Sequence, residues 1–330
     1  MSSSSRIIHI SDTHCTTRNY TSDVNLAGIV GDGALDKGAP QDNIAKCNEI
    51  VDFLDSNREM LRTNRIVHSG DLVDSAGRDD FNAEAKQYLL NPLSSAGFDI
   101  TIVPGNHDFF VDGNQFLTSK VINRIADAGV DSIAQGAEQF FNAFGPYMKT
   151  SGPNVYPVDL DLGNGNHLIL IDSLKGHYDV QTGSHKAQGN IGEQQLNWLR
   201  KTLPNYQKNR ADGSKIAMVM HHNPWDQGSS TELADAEEFL DVITNQIDAL
   251  MFGHTGNPHQ FYYDYAWACG IPVITSENIE HMSDNGYPIS VIDLTFNTVE
   301  VYNTKLGKIA VEMLLPDKRV PVPLMWFATF

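Results

Sequence analysis

Short runs rich in isoleucine, valine and leucine recur along the chain and predict strands that are buried on both faces. The predicted strands cover residues 6–10, 65–68, 99–103, 167–171, 215–220, 248–252, 271–275, 289–294 and 299–302. Segments with apolar residues at helical spacing separate many of these strands, and they predict helices near residues 44–54, 81–90, 193–203 and 232–244. Strands that alternate with helices predict βαβ units around a buried sheet.

The last third of the chain contains more predicted strand than helix, which changes the expected architecture. We therefore expect an α/β fold in which a mixed two-sheet β-sandwich is flanked by helices, and we expect one domain over residues 1–330. Segments 16–38 and 109–152 interrupt the alternation and are expected to be insertions that shape a pocket. The apolar tail at residues 316–330 is expected to pack on the core, or on a second subunit in a homodimer.

Composition restricts the class of protein and its partners. Hydrophobic residues make up 41% of the chain and charged residues 19%, as in ordinary globular proteins. The net charge of −18, from 23 basic and 41 acidic residues, makes long polyanions poor partners. We therefore do not expect nucleic acid or an anionic membrane as a partner, whereas a small anionic substrate is compatible with a locally positive site.

The cysteines and the N-terminal residues indicate the compartment. Cys15, Cys47 and Cys269 show no CxxC spacing, so the sequence predicts neither a disulfide framework nor a thiolate zinc site. The first residues lack the apolar stretch of a signal peptide, and the sequence has no run of about 20 apolar residues that could span a membrane. These features predict a cytoplasmic protein.

Polar side chains follow five of the predicted strands at the point where each strand ends. They are Asp12 and His14, then Asp71, then Asn106, His107 and Asp108, then His221 and His222, and finally His254. Any one of them could be a helix cap, a turn residue or an interior histidine. Ligands bind beyond the carboxyl ends of strands in α/β sheets, and five such ends together favour a single site there.

The residue types at these strand ends predict a metal site. Oxygen and imidazole ligands without thiolates suit Mn, Fe or Zn, and one carboxylate such as Asp71 can bridge two ions. Two divalent ions, two carboxylates and one hydroxide leave about one positive charge, which suits a phosphate substrate. His9 and His68 lie within strands and are expected in the interior instead.

The order of these motifs resembles the calcineurin-like metallophosphoesterases, whose pattern is DxH, GD, GNHD, a histidine and GHxH. The corresponding residues are Asp12-Thr13-His14, Gly70-Asp71, Gly105-Asn106-His107-Asp108, His221 and Gly253-His254-Thr255-Gly256. Residues 194–199 also resemble a helix that precedes the fourth motif in class III cyclic-nucleotide phosphodiesterases. The resemblance implies the four-layer fold of this superfamily and a centre of two divalent metal ions.

The resemblance also implies roles for the motif residues. The first metal is expected at Asp12 and His14, a bridging position at Asp71, and the second metal at Asn106, His221 and His254. A hydroxide that bridges the metals is expected to attack phosphorus. His107 is then expected to face the substrate as a cation or general acid, with Asp108 orienting it, and His222 is a candidate substrate contact.

One position departs from the family pattern, because Gly256 stands where a second histidine of GHxH is expected as a ligand of the first metal. Three alternatives are open: His259 replaces the ligand, water or substrate fills the position, or the first site binds metal weakly. We favour the weaker first site as a hypothesis.

The expected function, which rests mainly on this resemblance and on the acidic composition, is metal-dependent hydrolysis of a small phosphodiester, such as a cyclic nucleotide or a glycerophosphodiester. A phosphomonoesterase, a protein phosphatase and a nuclease of the same superfamily are alternatives. A metal-binding interaction scaffold with weakened catalysis is an alternative of another class, favoured by Gly256 and opposed by the presence of His107 and Asp108.

Overall fold

The structure is a computed structural model, and it describes residues 5–15, 41–73, 79–109, 133–153, 155–178, 188–224, 233–254, 262–263, 271–275 and 286–313. Several predicted features lie outside these residues: the insertion at 16–38, much of the insertion at 109–152, the tail at 316–330, Gly256 and His259.

The strands form two sheets. Their bounds are β1 (Arg6–Ile10), β2 (Arg65–His68), β3 (Asp99–Ile102), β4 (Val158–Gly163), β5 (Asn166–Leu170), β6 (Ile216–Val219), β7 (Ala249–Phe252), β8 (Tyr262–Tyr263), β9 (Pro272–Thr275), β10 (Pro288–Asp293), β11 (Thr298–Asn303) and β12 (Gly307–Met313). The first sheet has the order β12-β11-β10-β1-β2-β3, and the second has the order β4-β5-β6-β7-β9-β8. Strands β1 to β3 are parallel and end the first sheet at β3, while antiparallel strands β10 to β12 form its other side. In the second sheet, parallel strands β5, β6, β7 and β9 lie between antiparallel edge strands β4 and β8.

Most helices follow the predicted alternation, but the helix over Ile133–Met148 was not predicted: it lies in the segment expected to be an insertion, and its buried side chains join the main core. They are α1 (Gln41–Ser56), α2 (Arg58–Leu61), α3 (Asp79–Ala85), α4 (Asn91–Ser95), α5 (Ile133–Met148), α6 (Glu193–Asn209) and α7 (Ala236–Ile243). A π-helical turn (Lys86–Leu90) joins α3 to α4, and short 3₁₀ helices cover His107–Phe109 and Lys175–His177. Among the residues that the structure describes, no helix is both long and apolar enough to cross a membrane.

Strand alternation in the second sheet divides the core into two layers. On β5, Leu168 and Leu170 belong to the cluster shared with the first sheet and with α1, α3 and α5. Ile169, between them, belongs to the cluster shared with α6 and α7. Because successive side chains of a strand point to opposite faces, one sheet is buried on both sides. The expected mixed two-sheet sandwich flanked by helices is confirmed.

Candidate metal centre

Backbone hydrogen bonds continue past the strand ends and hold the loops side by side. The N–H of Asp12 donates to the carbonyl of Gly70 at 2.9 Å, and the N–H of His14 donates to that of Asp71 at 3.0 Å. The loops after β6 and β7 are joined in the same way, since the N–H of Gly253 donates to the carbonyl of His221 at 3.1 Å. The polar strand ends therefore lie together at one edge of the sandwich, as the sequence predicts.

Four of the predicted ligand residues have an unusual backbone conformation. Their φ angles are positive: 49° at Asp12, 35° at His14, 54° at Asp71 and 64° at His254. Such angles cost non-glycine residues about 1–3 kcal/mol each and persist where the surrounding structure imposes them. Strain concentrated at these residues is typical of a functional site.

Two glycines allow the loops to approach closely. A Cβ at Gly105 would overlap the carboxylate and the backbone nitrogen of Asp71. A Cβ at Gly253 would overlap the side chains of Ser11 and Asp12. Both positions need glycine because the ligand side chains of a neighbouring loop occupy the space that a side chain would take.

The predicted ligands form two groups that share one carboxylate. Asp12, His14 and Asp71 form the first group, and Asp71, His221 and His254 form the second, with the ligand atoms of each group within 4.8 Å of one another. The Asp71 Oδ2 atom lies 3.8 Å from His14 Nε2 and 3.2 Å from His221 Nε2. Asp71 is therefore placed where one carboxylate can contact two cations.

The second group includes an amide oxygen as well. Asn106 Oδ1 and His254 Nδ1 each lie 3.0 Å from His221 Nε2. The backbone N–H of His254 donates to Asp12 Oδ2 at 3.0 Å and so links the second group to the first. This donor set of carboxylate, imidazole and amide atoms fits Mn, Fe or Zn.

The charges of the site also fit a bound cation. Burial opposes the charged form of Asp71, but His221 and His107 outweigh it and hold the pKa of Asp71 well below its usual range. Burial likewise opposes the charged form of His221, yet Asp71 raises the pKa of His221 to about 9. Carboxylates that favour a proton on a buried imidazole would also stabilise a divalent cation in the same place.

His107 lies beside the two groups without belonging to either. Its backbone N–H donates to Asp71 Oδ1 at 3.0 Å, and its ring meets the ring of His14 edge-on with 4.8 Å between the centroids. The side chain is half-buried, whereas His14 and His221 are buried. An imidazole in this position can exchange protons with a bound molecule.

Asp108 anchors the loops through its carboxylate. Oδ1 accepts from the N–H groups of Leu72 and Val73 at 2.9 and 3.0 Å, and Oδ2 accepts from that of Gly105 at 2.9 Å. Burial and the charge of Asp71 raise the pKa of Asp108 to about 7. That Asp108 orients His107 stays a prediction. The contacts of Asp108 show a second role, which is to hold the two loops together, and the sequence analysis missed this role.

Interior polar residues hold the loops through contacts with buried histidines of β1 and β2. His68 Nε2 lies 2.9 Å from Thr13 Oγ1, and His9 Nε2 lies 2.8 Å from Ser69 Oγ. Burial and the neighbouring His9 lower the pKa of His68 to about 3, so its imidazole is neutral. Both histidines are in the interior, as expected from their positions within strands.

Tyr287, which precedes β10, is a supporting residue that the sequence analysis missed. Its hydroxyl accepts from the N–H of Ser11 at 2.9 Å and donates to the carbonyl of the same residue at 2.6 Å. Nothing in the local sequence around Tyr287 signals this contact, because it depends on the antiparallel pairing of β10 with β1.

The fold is a two-sheet α/β sandwich, and its site contains two groups of carboxylate and imidazole side chains that share one aspartate. These features are typical of two-metal hydrolases. The sequence profile described as calcineurin-like phosphoesterase matches residues 5–258, and the chain belongs to this family. Membership makes it a metal-dependent phosphoester hydrolase, and it confirms the resemblance seen in the motifs.

Solved structures agree with the fold. A dimetal phosphatase from Danio rerio matches with a TM-score of 0.60 and 16% identity, over 94% of this chain and 98% of that chain. PhoD matches with a TM-score of 0.51 and 10% identity, over 93% of this chain and 68% of that chain. A search of curated protein sequences gave no significant match.

Proposed function

We propose that this chain hydrolyses small phosphodiesters, of the cyclic-nucleotide or glycerophosphodiester type, with two divalent ions of Mn, Fe or Zn. The observation that supports the proposal most is the sharing of Asp71 between two ligand groups, with His107 beside them. A shared carboxylate is the arrangement that places two ions about 3.5–4 Å apart in two-metal hydrolases.

The ligand residues divide between the two ions as the motif order suggests. Asp12, His14 and Asp71 would hold one ion, and Asp71, Asn106, His221 and His254 would hold the other. When bound, the ions supply an activated water and stabilise the charge that develops on the phosphate oxygens. The protein contributes the spacing, since the loop contacts of Asp71 fix both groups relative to each other.

His107 would donate a proton to the oxygen of the departing alcohol. Its backbone is fixed by the hydrogen bond to Asp71 Oδ1, and its side chain is half-buried, unlike those of His14 and His221. An alkoxide is a poor leaving group, so a positioned general acid contributes about 10²–10⁴-fold to its departure.

Charge supports a diester over a monoester. A phosphate monoester carries a charge of about −1.5 to −2 at pH 7, whereas a diester carries a single negative charge. The chain has a net charge of −18, and its field repels the more highly charged ligand more strongly. The diester therefore has the smaller electrostatic cost of approach.

The proposal is tested by comparing hydrolysis of bis-p-nitrophenyl phosphate and p-nitrophenyl phosphate by the Mn-reconstituted protein. We expect faster turnover of the diester, abolished in Asp71→Ala and retained in Asp161→Ala, whose exposed carboxylate lies in β4. Faster turnover of the monoester would replace the proposal with a phosphomonoesterase. Absence of turnover in folded, Mn-loaded protein would favour the scaffold alternative.

A further inference from the structure

His222 is next to a predicted metal ligand in the chain, but it is fully buried, with 0% of its surface exposed. Its ring packs against two histidines of the second ligand group. The centroid distances are 4.5 Å to the ring of His254 and 5.0 Å to the ring of His221. A side chain enclosed in this way is poorly placed for direct contact with a substrate.

Ser173 fixes the orientation of this buried ring. Its Oγ accepts from the backbone N–H of His222 at 3.3 Å and lies 2.7 Å from His222 Nδ1. A hydroxyl has one proton, and among the described contacts of Ser173 Oγ these two atoms are its partners. Donation to Nδ1 would give this proton an acceptor, so we expect the imidazole proton of His222 on Nε2.

The segment that carries Ser173 is itself held firmly. The backbone N–H of Asn190 donates to the Ser173 carbonyl at 2.6 Å. Gln195 clamps the preceding residue, since its Oε1 accepts from the N–H of Asp172 at 3.1 Å and its Nε2 donates to the Asp172 carbonyl at 2.6 Å. The serine hydroxyl is thus a fixed point against which the ring of His222 is aligned.

Gly189 completes the enclosure on another side. A Cβ at Gly189 would lie 2.6 Å from Cγ of His222, so the ring fills the space beside this glycine. Movement of the ring is thus limited by Ser173, Gly189 and the neighbouring imidazoles.

From these contacts we propose that His222 is a positioning residue which, held by Ser173, keeps the imidazole of His254 in place for the second metal. The inference rests on the proposed two-metal function and deepens it. The centroids of the His222 and His254 rings are 4.5 Å apart, so the buried ring of His222 limits how far the side chain of His254 can turn. Residues that orient metal ligands typically change metal affinity or activity by about 10–100-fold when they are replaced.

The first test is the affinity of the metal-free protein for Mn²⁺, measured by equilibrium dialysis. We expect Ser173→Ala and His222→Gln to weaken the tighter site by about 10–100-fold, with KM for bis-p-nitrophenyl phosphate unchanged at saturating Mn²⁺. Ser214→Ala is the matched control, because this buried serine also uses its hydroxyl in a hydrogen bond and precedes the opposite end of β6. We expect wild-type affinity in the control.

The second test reads the position of the proton directly. Nitrogen-15 NMR of metal-free protein with labelled histidine should show His222 protonated on Nε2, with its signals assigned by their loss in His222→Gln. Ser173→Ala should yield a mixture of tautomers, and Ser173→Thr, which keeps a hydroxyl, should restore the Nε2 form. A merely structural role for the serine would not predict this restoration.

Two results would overturn the proposal. One is wild-type Mn²⁺ affinity in both variants; if KM is raised at the same time, His222 is a substrate contact. The other is a proton on Nδ1 in the wild-type protein. Both the affinity and the NMR signal are measured without turnover, so failure of the proposed phosphodiesterase activity would be seen separately.

Discussion

At the scale of single residues, Asp71 joins the parts of the site. One oxygen lies between His14 and His221, and the other accepts the N–H of His107. Any displacement of this carboxylate would therefore change both ligand groups and the candidate acid together. His107, by contrast, can be replaced without removing a predicted metal ligand, and its role is open to a separate test.

Replacement of His107 by alanine should reduce turnover according to the leaving group. We expect kcat to fall by about 10²–10⁴-fold for a cyclic nucleotide, whose alkoxide needs a proton. The loss should be much smaller for bis-p-nitrophenyl phosphate, because p-nitrophenolate leaves without protonation. His167→Ala is the control, since His167 pairs with Asp159 near the opposite end of the second sheet. Equal losses for both substrates would contradict the role of general acid.

The two metal sites should differ in affinity. The second group has four candidate ligands among the described residues, and the first has three, with Gly256 and His259 outside the described residues. Stepwise dialysis against Mn²⁺ should therefore show one ion bound before the other. Equal, tight occupancy of both sites in protein purified without added metal would contradict the hypothesis of a weaker first site.

At the scale of elements, the loops after β2 and β3 depend on Asp108. Three backbone N–H groups donate to this buried carboxylate, and an amide in its place would turn a donor toward at least one of them. An unpaired buried polar group costs about 1–3 kcal/mol. The helical turn that carries Asp108 is thus hydrogen-bonded to the loop after β2 as well as to Gly105 after β3.

Asp108→Asn should lower the free energy of unfolding by about 1–3 kcal/mol, measured by urea denaturation. Asp161→Asn is the matched control: its exposed side chain accepts the N–H of Gly163, and an amide oxygen can do the same. The control should stay within about 0.5 kcal/mol of the wild type. Wild-type stability in Asp108→Asn would show that the three hydrogen bonds contribute little.

Strands with continuous apolar runs were predictable from the sequence, whereas some strands with a more polar pattern were overlooked. β1 and β2 match their predicted bounds, whereas β4 and β12 were missed. β4 alternates Val158, Asp159, Leu160 and Asp161 at the edge of its sheet, which is the period of a half-exposed strand. A search for alternation would have found it.

The candidate site, like the fold, was predictable only in part from the sequence. The motif residues were predictable because the carboxyl ends of neighbouring strands meet at one edge of the fold. The hydrogen bonds of Asp108, Ser173 and Tyr287 were not, because each joins residues that are brought together only by the packing of distant segments.

At the scale of the whole molecule, Arg6 ties the first strand to the last part of the described chain. The guanidinium of this buried residue of β1 pairs with Asp293 of β10 at 2.9 Å and with Glu300 of β11 at 3.0 Å. Burial opposes the charge of Glu300, but hydrogen bonds from Tyr302 and Arg6 outweigh it and lower the pKa of Glu300 to about 2.

This ion pair should make stability depend on pH. An unfolded glutamate has a pKa of about 4.3. At pH values between this pKa and the lower pKa of folded Glu300, the folded protein therefore binds fewer protons than the unfolded chain. The stabilisation from Glu300 is therefore present above the unfolded pKa and is lost as pH falls toward 2. Removal of the carboxylate should abolish this dependence.

Urea denaturation of the wild type and of Glu300→Gln provides the measurement. At pH 6 the wild type should be the more stable, and by pH 3 the difference between the two free energies of unfolding should shrink. Glu59→Gln, at an exposed position of α2, is the control and should match the wild type at both pH values within about 0.5 kcal/mol. A difference that does not change with pH would show that the charge of Glu300 is not responsible.

The central claim is that two metal ions share Asp71. It is tested most directly by electron paramagnetic resonance of the protein titrated with Mn²⁺. We expect about two ions per chain at saturation, with the spectrum of a spin-coupled pair, because a shared carboxylate brings the ions to about 3.5–4 Å. Magnetically isolated ions at saturation, or no binding by folded protein, would contradict the account.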